Sequence, residues 1–259
     1  MPFRPTGLVT LLTDFGDADT YVSQMKAVML GVAPDLRFVD ISHEVAPQDI
    51  AQGAFLLAEA ARWFPAGTVH LAVVDPGVGS ARGAIAMIAG EHAFIGPNNG
   101  LMTPAALAIS PDPLAWSLDH VPSPHGSRSA TFHGRDLFSP AAALVAAGLR
   151  TPESLGSPAR PSPAPASTQG SPDVGRVLHV DRFGNLITSF PSDLFDGVVA
   201  VEVGGQVVST AVRCYAEAPA GAPVFLIGSS GRIEVAVAGG SAARALGVLA
   251  DAVVCLRRS

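Results

Sequence analysis

A stretch from Thr151 to Asp173, in which Pro, Ser, Ala and Gly displace nearly every large apolar residue, splits this 259-residue chain into halves of different grammar. Such a composition suits an extended connection, because it offers little to bury and interrupts both helices and sheet ladders. The length allows one large core or two modest ones. We place the boundary in this stretch, with residues 1–150 as an N-terminal domain, 151–173 as a Pro/Ser-rich linker and 174–259 as a C-terminal domain.

The first half alternates between two periods. Gly7 to Thr13, Leu36 to Asp40 and Thr68 to Val74 are short apolar runs suited to buried strands, whereas Tyr21 to Val32 and Ile50 to Trp63 carry the apolar spacing of helices. Ala84 to Ala89 and His92 to Ile95 add two shorter strands, the PNNG string at Pro97 turns the chain, and Phe138 to Ala147 closes this half with a helix. Strand and helix in alternation predict an α/β layer. After the linker the runs shorten: Arg176 to Val180, Leu186 to Phe190, Val198 to Val203, Gln206 to Val212, Pro223 to Ile227, Ile233 to Val237 and Val253 to Leu256 are separated by Gly, Asp and Pro. With one helical insertion at Ala242 to Leu246, they predict a smaller antiparallel β-barrel-like domain.

Charge narrows the partners. The 16 Lys plus Arg stand against 22 Asp plus Glu, a formal net charge of -6, with no basic tail or stripe, which disfavours nucleic acid. Apolar runs are broken well before membrane-spanning length, and the N-terminus has no basic segment followed by a long apolar run, so a cytoplasmic protein without a membrane anchor is expected. Cys214 and Cys255 stand alone among apolar neighbours, as small buried hydrophobes would.

Four polar strings interrupt this apolar background: LLTDFGDADTY from Leu11, VVDPGVGSARG from Val73, TFHGRDLF from Thr131 and VDRFGNLITSF from Val180. In the third, His133 can change protonation near neutral pH, and Arg135 stays charged and suits an anion or carboxylate. In the second, Asp75 ends a strand and an abrupt turn can present it together with Arg82. Two readings stay open: Asp75 caps the turn and Arg82 neutralises it, or His133 joins them, with Asp75 orienting its ring and Arg82 keeping the site electropositive. Asp14, Asp17 and Asp19 are too acidic for a phosphate loop but can accept hydrogen bonds from ribose hydroxyls or an amino group. Asp181 and Asn185 suit either a capped hairpin or a site reading an ammonium and an adenine edge, with Phe183 as an apolar surface. Ser229 and Ser230 in GSSGR can bind a carboxylate or simply line a polar hairpin.

The seven histidines show neither the HExxH pattern nor a cysteine-paired zinc spacing, so no metal is expected. His70 and His179 fit strand positions and His120 and His125 fit loops. His43 lies near a turn without a second clue.

Taken in order along the chain, LLTDFG, DPGVG, TFHGRD and DRFGNLIT resemble the S-adenosyl-L-methionine (SAM) hydroxide adenosyltransferase family, the SAM hydrolases, related to fluorinases and chlorinases. The resemblance implies hydrolysis of SAM to adenosine and L-methionine by water at ribose C5', without a cofactor, in a homotrimer with sites between neighbouring subunits. It also implies a catalytic set of Asp75, Arg82 and His133, ribose contacts at Asp14 with Asp19 in the ligand turn, methionine-ammonium and adenine contacts at Asp181 and Asn185, and a carboxylate site at Ser229 and Ser230. A SAM-dependent halogenase and a nonenzymatic nucleoside sensor are the alternatives. The chain departs from the family pattern at Asn98, where many relatives have aspartate, in the small residues before the histidine string, and in the Pro/Ser-rich stretch.

Overall fold

The computed structural model describes residues 3–123, 126–165 and 172–259. His125 and residues 166–171 of the expected linker lie outside them. The chain forms two compact units, Met1–Pro165 and Ala166–Ser259.

The first unit is built on six strands in the order β2-β1-β3-β5-β4-β6, comprising β1 (Leu8–Thr13), β2 (Arg37–Ser42), β3 (Val69–Val73), β4 (Ala84–Ala89), β5 (His92–Pro97) and β6 (Leu114–Ser117). β2, β1, β3 and β5 run parallel, and β4 pairs antiparallel with both β5 and β6. β1 and β3 are buried along their whole length. Their alternate side chains feed two apolar clusters: Val9 and Leu11 join Met25, Met29 and Ala141, while Leu12 and Ala72 join Ala54, Leu57 and Ala105.

Helices cover both faces. α1 (Tyr21–Val32) buries Val22, Met25 and Met29, spaced at three and four residues as an amphipathic helix requires. α2 (Ile50–Ala61) starts where the Asp49 side chain accepts the Gln52 N–H at 2.9 Å. α4 (Ser139–Ala146) has almost nothing but small residues and is buried nearly throughout. α3 (Thr103–Ile109) and β6 lie in a segment for which no element was predicted, and it holds Pro104, Pro111 and Pro113. Pro104 occupies the first turn of α3, where its missing N–H costs nothing.

The stretch expected to be a linker is, up to Pro165, part of this unit. Pro152–Leu155 forms a 3-10 turn that buries Leu155 completely. Further on, Ala159 N–H donates to Ala115 at 2.9 Å, and Asn98 clasps the chain on both sides, its Nδ2 donating to Arg160 O at 3.0 Å and its Oδ1 accepting from Ser162 N at 2.7 Å. Aspartate could make only the second of these bonds.

The second unit is a seven-stranded antiparallel sheet in the order β10-β9-β13-β7-β8-β12-β11. Its strands are β7 (Val174–Val180), β8 (Leu186–Pro191), β9 (Val198–Val203), β10 (Gln206–Val208), β11 (Pro223–Ile227), β12 (Arg232–Val237) and β13 (Val253–Arg258), with α5 (Ala242–Leu246) after β12. β10 stops earlier than its apolar run suggested, because the chain crosses to β11, where Ala211 bridges Phe225 and nearly closes the sheet. The core takes Val177, Phe190, Val201, Phe225, Ile233 and Val235. The cysteines differ from expectation. Cys214 is exposed in the crossing segment and Cys255 is half-buried on β13, and both are free thiols. Among the described residues no helix is long and apolar enough to cross a membrane.

A histidine pair lies inside the first sheet. Thr10, His70 and Phe94 stand in register on β1, β3 and β5, with Thr10 Oγ1 2.8 Å from His70 Nδ1 and His70 Nε2 3.1 Å from His92 Nδ1. Burial, reinforced by His92, pushes His70 down to about 3. The native ring is thus neutral where the unfolded ring, near its ordinary 6.5, takes a proton, so stability is complete above that value and lost as pH falls towards 3. Thermal unfolding followed between pH 7 and pH 4 should show acid destabilisation approaching ~1.4 kcal/mol per pH unit from this ring. His70→Asn should flatten the profile; an unchanged slope would contradict the assignment.

Candidate active site

Thr13 lies opposite Val73 at the ends of β1 and β3, so Asp14 and Asp75 both follow these strands at the sheet's carboxyl edge, where parallel α/β sheets bind ligands. Asn99 Nδ2 donates to Val74 O at 2.9 Å and braces the backbone just before Asp75. The loop that follows turns at Gly79, whose φ is +76° and whose added Cβ would sit 2.4 Å from Ala130 O. Only glycine lets this loop lie so close to the segment leading into His133.

Arg82 joins the two strings. Its Nε donates to Asp75 Oδ1 at 2.7 Å and its Nη2 to Asp75 Oδ2, while the same Nη2 lies 3.0 Å from His133 Nδ1. The guanidinium lies over the Phe138 ring at 5.2 Å. His133 precedes and Phe138 ends a π-helical turn, Gly134–Phe138, and this wider turn lets residues five apart face the same guanidinium. The three expected residues therefore meet, though in a different order. Asp75 does not orient the imidazole directly; Arg82 stands between them. Since a guanidinium can only donate, His133 Nδ1 accepts, and the neutral ring carries its proton on Nε2. Burial, and then the Arg82 charge, hold His133 below the ordinary histidine value, with Asp75 partly opposing.

Other residues of these strings fall elsewhere. Arg135, expected to face an anion, is held within its own segment: it bonds Asp136 at 2.6 and 3.0 Å and Gln24 at 3.1 Å, and stacks over Phe132. Asp14 is half-buried and accepts Gln48 N–H at 2.8 Å. Asp19 is exposed on the turn before α1, and among the described residues no hydrogen bond ties it to Asp75, Arg82 or His133.

In the second unit, Asp181, Asn185, Ser229 and Ser230 line one cavity of about 860 Å³. Asp181 caps its hairpin, Oδ1 accepting Phe183 N–H and Asn185 N–H at 2.9 and 2.8 Å and Oδ2 accepting Asn185 Nδ2–H at 2.9 Å. The hairpin and ligand readings are compatible, because one lone pair of Oδ2 and one N–H and the oxygen of the Asn185 amide stay available. Ser230 Oγ is buried with no hydrogen-bond partner among the described residues. The lining also includes Glu234, Tyr215 and Arg244, which the polar strings did not mark. Glu234 is buried on β12 and accepts the Tyr215 hydroxyl at 2.6 Å. Burial raises the Glu234 carboxyl above its ordinary range, the Tyr215 bond opposing and the Asp181 charge adding to the rise. Its signal was the single acid inside the apolar alternation IEVAV.

Residues 9–156 match the SAM hydroxide adenosyltransferase N-terminal domain and residues 175–255 its C-terminal domain. The chain belongs to this family. It is 45% identical to the (R)-S-adenosyl-L-methionine hydrolase of Thermus thermophilus over 93% of this chain and 95% of that one. A fluorinase of Actinoplanes sp. is 26% identical, covering 73% of each chain. Among solved structures, an uncharacterised conserved protein from Thermotoga maritima has 30% identity and a TM-score of 0.88 over 96% of this chain and all of its own.

The bridge carries a direct test. Arg82→Gln removes the charge that depresses His133, so an NMR titration of the folded variant should find the imidazole pKa above that of the parent, with the parent ring as the Nε2–H tautomer. A lowered value, or an Nδ1–H tautomer in the parent, would contradict the geometry.

Proposed function

We propose that this protein hydrolyses SAM to adenosine and L-methionine, water attacking ribose C5' opposite the sulfonium. The observation that carries the reading is the Arg82 bridge between Asp75 and His133 at the carboxyl edge of the sheet, in a chain of this family. The reaction needs an aligned, polarised water more than a leaving-group acid. As the C5'–S bond breaks, its electron pair stays on sulfur and produces a neutral thioether, while the new C5'–O bond forms and the water gives up a proton.

The bridge divides the labour. With Nδ1 engaged by Arg82, His133 offers Nε2–H to the attacking oxygen and steadies it, while Asp75 keeps the lone pairs that Arg82 leaves open and is the favoured proton acceptor. Arg82 supplies positive charge as hydroxide character develops. Asp14 accepts ribose hydroxyls and Asp19 borders the ligand turn. Asp181 takes the methionine ammonium, Asn185 reads the adenine edge, and Ser229 and Ser230 hold the carboxylate. The second unit's cavity sets Asp181 and Glu234 beside Arg244, a mixed lining that suits a substrate end carrying both an ammonium and a carboxylate. Among the readings weighed, halogenation is disfavoured, because a halide must shed its water and the charged Asp75–Arg82–His133 set attracts water. We place the protein in the cytoplasm, as a homotrimer whose sites join first-unit residues of one subunit with second-unit residues of its neighbour; the family resemblance supports this assembly.

Incubation with SAM in isotopic water should give equimolar adenosine and methionine with the label at the 5' oxygen, read by mass spectrometry. Unchanged SAM would overturn the reading, and dominant 5'-halo-5'-deoxyadenosine in halide buffer would redirect it. Asp75→Ala, Arg82→Ala and His133→Ala should each lower turnover more than affinity, by about 3 kcal/mol or roughly a hundredfold, as for lost transition-state donors. Near-parental turnover in all three would remove them from the chemistry. Light scattering should give a mass near three chains; fully active monomers would exclude the proposed assembly.

A further inference from the structure

Beside the sheet end that carries Asp14 is a buried imidazole that the reaction above leaves unused. His43, just past β2, is only 6% exposed, and its Nδ1 lies 2.8 Å from Oγ1 of the fully buried Thr13. Its Nε2 lies 3.1 Å from Asp40 Oδ1, at ion-pair distance. The other Asp40 oxygen takes Lys26 Nζ from α1 at 2.6 Å. A line of polar groups thus runs from the surface to the last residue of β1.

The far end of the line is the turn bearing Asp14. The Asp40 carboxylate can only accept, which puts the ring proton on Nε2 facing it and leaves Nδ1 to accept the Thr13 hydroxyl, whose oxygen also accepts Phe15 N–H at 3.3 Å. The backbone stitches the same two segments together, with Gly16 N–H donating to His43 O at 2.8 Å and Val45 N–H to Thr13 O at 3.4 Å. Asp14 reaches the same loop through Gln48 N–H, on a residue with φ of 67°. Apolar packing could fill this volume at less cost, since buried hydroxyl and imidazole groups must find partners. What the polar line adds is direction, because it fixes how β1 ends and where Asp14 points.

We propose that His43 is a positioning residue that acts through Thr13 to hold the turn carrying Asp14 in register with the ribose hydroxyls of SAM; this rests on the activity proposed above. Asp14 makes the contact and His43 sets its place. The test is a double-mutant cycle in the full-length protein, read as KM and kcat for SAM and as the dissociation constant for adenosine. Thr13→Val keeps the strand-favouring shape and deletes the hydroxyl, so both binding constants should weaken about fivefold, the worth of one hydrogen bond, with kcat changed less than about twofold. Thr13→Ser should restore them. In an Asp14→Asn background the same Thr13→Val change should cost less than about 1.5-fold, because coupled residues are non-additive. If Thr13→Val does not fold, Asp40→Asn, at the exposed end of the line, enters the same cycle with a smaller loss of the same kind. Equal losses in both backgrounds, or unchanged binding in the folded variant, would overturn the positioning role while leaving the activity intact. A parental protein that neither binds nor consumes SAM would overturn the activity reading, and this assignment with it.

Discussion

Much of the first unit's candidate site depends on a single guanidinium. Asp75 and Arg82 have side chains only 6% and 12% exposed, and each charge is compensated by the other. Removing one partner of such a buried pair typically costs about 3–5 kcal/mol, mostly because the remaining charge stays uncompensated. The pair fixes the Asp75–Gly83 loop at the sheet edge, and the remaining Nη2 hydrogen then fixes the tautomer of His133 across a gap of 51 residues in sequence. The glycine at 79, the π-helical turn at 134–138 and the Phe138 ring all serve the same contact.

Much of this architecture was legible in the chain. α1 coincides with its apolar spacing from Tyr21 to Val32, and β1, β3, β4 and β9 lie within a residue of their apolar runs; for β1 and β3 the cause is burial along the whole length, since a strand buried on both faces reads as a near-continuous apolar run. Elements failed to show where a local signal had two uses. α3 and β6 fall in a proline-punctuated segment, with Pro104, Pro111 and Pro113, for which no element was predicted. The run from Gln206 to Val212 kept its alternation although the chain had left one strand for another, since bridging to β11 needs the same extended backbone as β10.

The site was legible at a coarser level. Motif order marked Asp75, Arg82 and His133, and the structure brings them together, but a sequence carries no information about which of three groups stands in the middle. Arg135 shows the opposite error: a guanidinium next to His133 looked functional, yet its adjacent carboxylate, Asp136, holds it. Glu234 and Tyr215 were hidden because they meet across 19 residues and a strand crossing. His43 had looked isolated for the same reason, its hydroxyl partner lying 30 residues earlier.

The clasp made by Asn98 bears on how this protein can be taken apart. The amide grips Arg160 and Ser162 from both sides, which ties residue 98 to the Pro/Ser-rich segment after 151. The sheet unit continues through this segment and seats Leu155 with no exposure. A chimaera that exchanges second units between relatives therefore has its natural splice after Pro165, and one cut at residue 150 would part Asn98 from the segment that it clasps.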